Sequence, residues 1–143
     1  MSAAEGRRRS LLRWLPALAV MALIFALSSI SGLRVSDDAA IDGPARVVAH
    51  FGIYATLGAL LLYALGQGRH PGPRHVLAAF LGAVLYAVSD EIHQAMVPDR
   101  GAALDDVVVD ALGALLGVIV AWLVMTRHDR SRPATSAARR HRG

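Results

Sequence analysis

Apolar residues fall into four long runs, at positions 14–30, 47–65, 76–97 and 107–126, separated by short stretches rich in charge, Gly and Pro. Each run holds about 17–22 residues, and a bilayer core takes roughly 20 residues of helix. None of the runs sustains a period of two, and all are rich in Ala and Leu. Open strands would also leave backbone groups unpaired in hydrocarbon. The pattern predicts an all-α membrane protein, a four-transmembrane-helix bundle. Its links are the acidic segment 33–46 with Gly43 and Pro44, the Gly/Pro/Arg segment 66–75, and the segment 98–106. Such short links favour antiparallel neighbours. The chain divides into a basic N-terminus at 1–13, the four-helix domain at 14–126, and a tail at 127–143 too polar to build a core and so expected to be disordered.

Composition sharpens this picture. The 143 residues are 55% hydrophobic and 18% charged, and cysteine is absent. The apolar excess argues against a soluble nucleic-acid binder despite the basic balance of +4, so no nucleic acid is expected as a partner. The lack of thiols excludes disulfides, thiolate zinc sites and cysteine nucleophiles. All fifteen basic side chains are arginine. Twelve of them fall before the first run, between the second and third, or after the fourth, whereas Arg34, Arg46 and Arg100 fall on the opposite side. The positive-inside rule then places both termini in the cytoplasm, in a multi-pass protein of the cell membrane. Trp14 and Trp122 lie toward that same interface, where indoles are favoured. The first run has a competing reading as a cleaved signal peptide, with small residues at 26–28 as the cleavage site.

Polar residues gather at the other end of every run. Ser28, Ser29 and Ser31 close the first, His50 and Tyr54 open the second, Ser89-Asp90-Glu91-Ile92-His93-Gln94 closes the third, and Asp105, Asp106 and Asp110 open the fourth. The uninterrupted apolar stretch 76–88 rises only about 20 Å as a helix, so Asp90 to Gln94 begin within the membrane or at its boundary. A charged group facing lipid at mid-membrane costs roughly 2.5–3.5 kcal/mol even on the lenient scale. These groups should therefore face one another or water. Helical spacing predicts four inward stripes: Ala19, Ala22, Ala26 and Ser29; Arg46, His50, Tyr54 and Gly58; Gly82, Tyr86, Asp90, His93 and Gln94; and Asp106, Asp110, Gly113 and Gly117. Gly113 and Gly117 read as helix packing. Asp37, Asp38 and Asp42 read as solvated loop charges, Asp105 or Asp106 as a helix N-cap, and the serines as donors to backbone carbonyls one turn back.

In this order the residues form a recognisable set. His50-Phe51 with Tyr54, then the 89–94 hexapeptide, Val97-Pro98, Arg100, Asp106-Val107 and Gly113 with Gly117 resemble the VanZ-like family of small integral membrane proteins. Ser28-Ser29 also fits, and the likeness covers residues 26–118. The resemblance implies a four-helix membrane protein of the cell envelope, in a family named for a member linked to teicoplanin resistance, and it supplies no reaction. Two departures are visible: Asp110 stands where the family usually has Asn, and the basic residue expected before His50 is Arg46 in a slightly shifted register.

The candidate outer polar site comprises His50, Tyr54, Asp90, Glu91, His93, Gln94, Arg100, Asp106 and Asp110. A binding module is one function it suits. Arg100, and also Arg46, offers a planar donor fork to phosphate or carboxylate, and the carboxylates and amide suit sugar or peptide groups. The ligand would be a membrane lipid, a lipid-linked cell-wall precursor or a lipoglycopeptide. An enzyme acting on a lipid-linked substrate is a second class, since Asp90 and His93 at i and i+3 can project together. No nucleophile motif or phosphate loop accompanies them, and no metal or cofactor is expected. A proton-coupled transporter or a structural accessory subunit completes the alternatives.

Overall fold

The computed structural model describes residues 3–34, 36–67, 70–98 and 104–130. Five helices follow in order: α1 (Ala3–Leu12), α2 (Leu15–Ser28), α3 (Ala39–Leu65), α4 (Pro73–Gln94) and α5 (Leu104–Arg130). Four stretches are long and apolar enough to cross a membrane, Ala4–Ser28, Ala39–Leu65, Pro73–Gln94 and Leu104–Arg127. All described secondary structure is helical, as the pattern requires.

The helix ends follow local chemistry that the apolar runs do not report. The basic N-terminal segment is itself helical, as α1, and a turn at Arg13 and Trp14 separates it from α2. Expected as a link, 39–46 instead forms the start of α3. Asp38 caps that helix by accepting from the Ala40 amide at 2.9 Å, and Asp42 adds a favourable negative charge in the first turn. Asp38 is thus a structural cap rather than a loop charge. Pro44 lies inside α3, within its first two turns. α4 begins three residues earlier than the apolar run, with Pro73 preset for the first helical position. Asp105 and Asp106 occupy the first turn of α5 instead of its cap, where the helix dipole favours them. α5 also continues through Arg130, so the tail is helical at its start; residues 131–143 lie outside the described residues.

The bundle is built around α3 and α5, which run parallel and approach at backbone distance. A Cβ on Gly113 would meet the Phe51 carbonyl oxygen, one on Gly117 the Ala55 carbonyl oxygen, and one on Gly58 would lie 2.5 Å from the Ala114 oxygen. The absence of side chains at these three positions is what lets the two helices touch, as small residues do between membrane helices generally. α4 contributes Ala79, Ala83 and Ala87 at one-turn spacing, packed with Leu57, Leu61 and Leu62 of α3 and with Ala114 and Val118 of α5. α2 closes the bundle through Ala17 and Ile24. The stripe expected on this helix is therefore wrong. Ala19, Ala22, Ala26 and Ser29 are exposed, and Ala17, Ile24 and Ser28 face inward.

Outward-facing positions are apolar almost throughout. Leu85 is 70% exposed, and Leu23, Leu81, Leu112, Leu116 and Val120 are also exposed. In water such a surface would be an association site; around a four-helix bundle of this length it is the lipid-facing belt.

Candidate functional site

All four polar ends meet at one end of the bundle, as the alternation of helix directions requires. Two hydrogen-bonded clusters form there. The first joins α2 to α4. Asp90 is 4% exposed, and its Oδ2 accepts from Ser28 Oγ at 2.9 Å and from Gln94 Nε2 at 2.8 Å. Asp90 and Gln94 stand one turn apart, so the amide reaches back along the same helix face while Ser28 comes from the neighbouring helix.

The second cluster joins α3 to α5. His50 Nδ1 donates to Asp110 Oδ1 at 3.1 Å, which fixes the proton on Nδ1 when Asp110 is ionised. One turn nearer the surface, Arg46 Nη2 donates to Asp106 Oδ2 at 3.2 Å. The two pairs repeat one turn apart on both helices, as do the Gly113–Phe51 and Gly117–Ala55 contacts below them, so a single parallel packing of α3 on α5 accommodates both.

Tyr54 lies between the clusters. It is fully buried, one turn below His50, and it lines the same cavity as Asp90. Three buried atoms here make no hydrogen bond among the described residues: Tyr54 Oη, Asp90 Oδ1 and Asp110 Oδ2. Leaving a buried polar group unsatisfied costs roughly 1–3 kcal/mol, and more when it is charged. Such atoms concentrated at one end of a bundle mark a place where a ligand or water completes the bonding.

A cavity of about 120 Å³ opens between α2 and α3 at this end. Ile24, Leu27, Leu33, Ala49 and Ile53 form its apolar wall. Ser28, His50, Tyr54 and Asp90 supply its polar lining, and Arg46, with a side chain 47% exposed, stands at its edge. Leu27 and Leu33 are themselves exposed, so the mouth is apolar on one side and cationic on the other.

The sequence-based candidates separate into three groups. His50, Tyr54 and Asp90 line the cavity, with Gln94, Asp106 and Asp110 directly bonded to or paired with lining groups. Glu91 is buried on α4 but does not line the cavity, and His93 departs further. The His93 ring stacks on Phe25 with centroids 4.5 Å apart, and Nε2 lies 3.0 Å from Ser29 Oγ. Asp90 and His93 therefore turn to different partners instead of converging on one point. Arg100 lies outside the described residues. Arg46, expected as a donor fork beside Arg100, stands at the edge of the cavity, and Ser28, expected only to bond its own helix backbone, lines it. Ser29 does back-bond to the Phe25 carbonyl at 2.7 Å, as expected of these serines, whereas Ser28 crosses to Asp90. Among the described residues no three His, Asp or Glu side chains gather closely enough to hold a metal ion.

The sequence matches the VanZ/LLP1 family over residues 4–125, most of the chain. It belongs to the VanZ/LLP1 family. No curated protein and no solved structure matches it. The family match covers both clusters of this VanZ-like protein, from Ser28 to Asp110, together with the Gly113 and Gly117 contacts that align them. Four apolar helices and family membership together make it a multi-pass membrane protein.

Proposed function

We propose that this VanZ-like protein is a cell-envelope binding module, which holds an envelope lipid or lipoglycopeptide-type ligand, such as a lipid-linked cell-wall precursor, in the cavity at its polar end. The observation that carries this reading is the single cavity that joins a cationic edge at Arg46, an apolar wall and the buried carboxylate of Asp90. An amphiphile has matching parts: a charged head for the donors and acceptors, and a chain for the wall. Guanidinium keeps donors beyond the one given to Asp106, and these suit phosphate or carboxylate. Arg100 is a second cation for the same group on sequence grounds. The arginine bias puts both termini in the cytoplasm and the polar end in the outer leaflet of the cell membrane, where a ligand enters sideways.

A protein that holds such a ligand alters what a glycopeptide meets at the membrane. In a teicoplanin-sensitive host, expression of the native chain is expected to change teicoplanin susceptibility. Arg46→Ala and Asp90→Asn are expected to abolish that change at equal membrane abundance. If both variants act like the native chain, the site has no part in the effect. A register-fixing role draws support from the Ser28–Asp90 and His50–Asp110 bonds. It predicts instead that size-matched apolar pairs at these positions preserve function.

A further inference from the structure

The charges around the cavity have an order that narrows the ligand class. Its exposed edge carries Arg46, already bonded once to Asp106. Its buried lining carries Asp90, whose Oδ1 has no donor, and Tyr54, whose hydroxyl has no partner. Arg46 pairs with Asp106 and His50 with Asp110, and neither pair brings a cation to Asp90. Ser28 and Gln94 both bond to the other oxygen, Oδ2. The cavity is thus built for a donor at depth and an anion at the edge. Arg46 and Tyr54 are two helical turns apart on α3, about 12 Å along the axis, which a long arginine side chain closes in part.

Resting on the binding role above, we infer that the ligand is an amphiphile with a zwitterionic head, a primary ammonium beside a phosphate, of the phosphatidylethanolamine kind. Its ammonium donates to Asp90 Oδ1 and Tyr54 Oη, and its phosphate accepts from Arg46. Its hydrocarbon lies along Ile24, Leu27 and Ile53. A purely anionic head offers Asp90 Oδ1 at most a neutral hydroxyl, brings no cation to the carboxylate and adds repulsion. A trimethylammonium head has the charge but no N–H to give.

The test is retention from mixed micelles that hold phosphatidylethanolamine, phosphatidylglycerol and phosphatidylcholine in equal amounts with identical chains. Lipid carried by the purified full-length protein is read by native mass spectrometry. Phosphatidylethanolamine is expected to exceed each of the others by at least about tenfold, the effect of one hydrogen bond to a charged group. Asp90→Asn keeps an oxygen for Ser28 and is expected to level the three lipids, with total retention maintained. Tyr54→Phe breaks no observed bond and is expected to reduce the preference without loss of thermal stability, which guards against a misfolded Asp90 variant. Retention of all three lipids equally by the native protein overturns the zwitterion assignment and leaves the binding role standing. Retention of none overturns both. Soluble phosphoethanolamine at the same concentration is expected not to displace the lipid; displacement would overturn the assignment to a membrane source.

Discussion

Replacing Gly117 by alanine tests whether the α3–α5 contact sets the geometry of the polar end. The added Cβ meets the Ala55 oxygen, carbonyl carbon and Cα, all of them backbone, so no side chain can turn aside to make room. At the milder Gly58 contact the ideal Cβ sits 2.5 Å from the Ala114 oxygen, and ordinary carbon–oxygen contact begins near 3.3 Å. Relief there takes a separation of about 0.8 Å, and Gly117 demands more. A gap of 0.5–1 Å already forfeits roughly a quarter to a half of each dispersion contact across the interface. Overpacking of this kind costs about 1–3 kcal/mol, and alanine's better helix propensity returns only about 0.5–1 kcal/mol. The net loss near the upper end is about 2 kcal/mol, or roughly 30-fold in the folding equilibrium. Gly52→Ala is the control on the same helix pair, since its Cβ meets nothing within 4 Å. Reversible unfolding in mixed micelles, followed by helical circular dichroism, is expected to rank Gly117→Ala below the native chain and Gly52→Ala level with it or above. If the two variants are equally stable, α3 and α5 do not meet as described.

Three further outcomes follow from the polar contacts. His50→Leu strands the fully buried Asp110 carboxylate and is expected to cost about 3 kcal/mol in the same unfolding assay, with most of it restored when Asp110→Leu is added. Ser28→Ala removes one of the two donors to Asp90 Oδ2 and is expected to cost about 1 kcal/mol, whereas Ser29→Ala, at an exposed hydroxyl, is expected to change stability by less than about 0.5 kcal/mol. Because the chain has no cysteine, single cysteines report orientation directly. Asp38→Cys is expected to react with an impermeant maleimide in intact cells and Arg127→Cys only after lysis; the reverse pattern would invert the topology.

Most of the architecture was legible in the sequence because lipid imposes a length and a polarity on each element. The inward faces of α3 and α5 were legible too, since Arg46, His50, Tyr54 and Gly58, and Asp106, Asp110, Gly113 and Gly117, contrast with apolar neighbours at helical spacing. α2 offers no such contrast. It is apolar all round, so its small residues do not mark the buried face, and nothing in the spacing distinguishes the buried Ser28 from the exposed Ser29. On α4 the buried line passes through Ala79, Ala83, Ala87, Asp90 and Gln94, which leaves Tyr86 and His93 on its flank toward α2. Tyr86 there donates to the Met21 carbonyl at 2.6 Å. The start of α3 was hidden because Asp42, Gly43 and Pro44 carry the chemistry of a turn, and an N-terminal turn of helix tolerates the same residues. That early start is what places Arg46 on a helix, at the cavity's edge and opposite Asp106.

If the polar ends of four helices make one ligand site, with Asp90 in its buried lining and Arg46 at its edge, the native protein leaves the membrane with its ligand. The most direct measurement is the mass of the native protein released from its own membranes, beside that of the Arg46→Ala/Asp90→Asn double variant. A single bound amphiphile is expected on the native chain and none on the double variant, at matched melting temperature. Equal occupancy of the two proteins would contradict a single site.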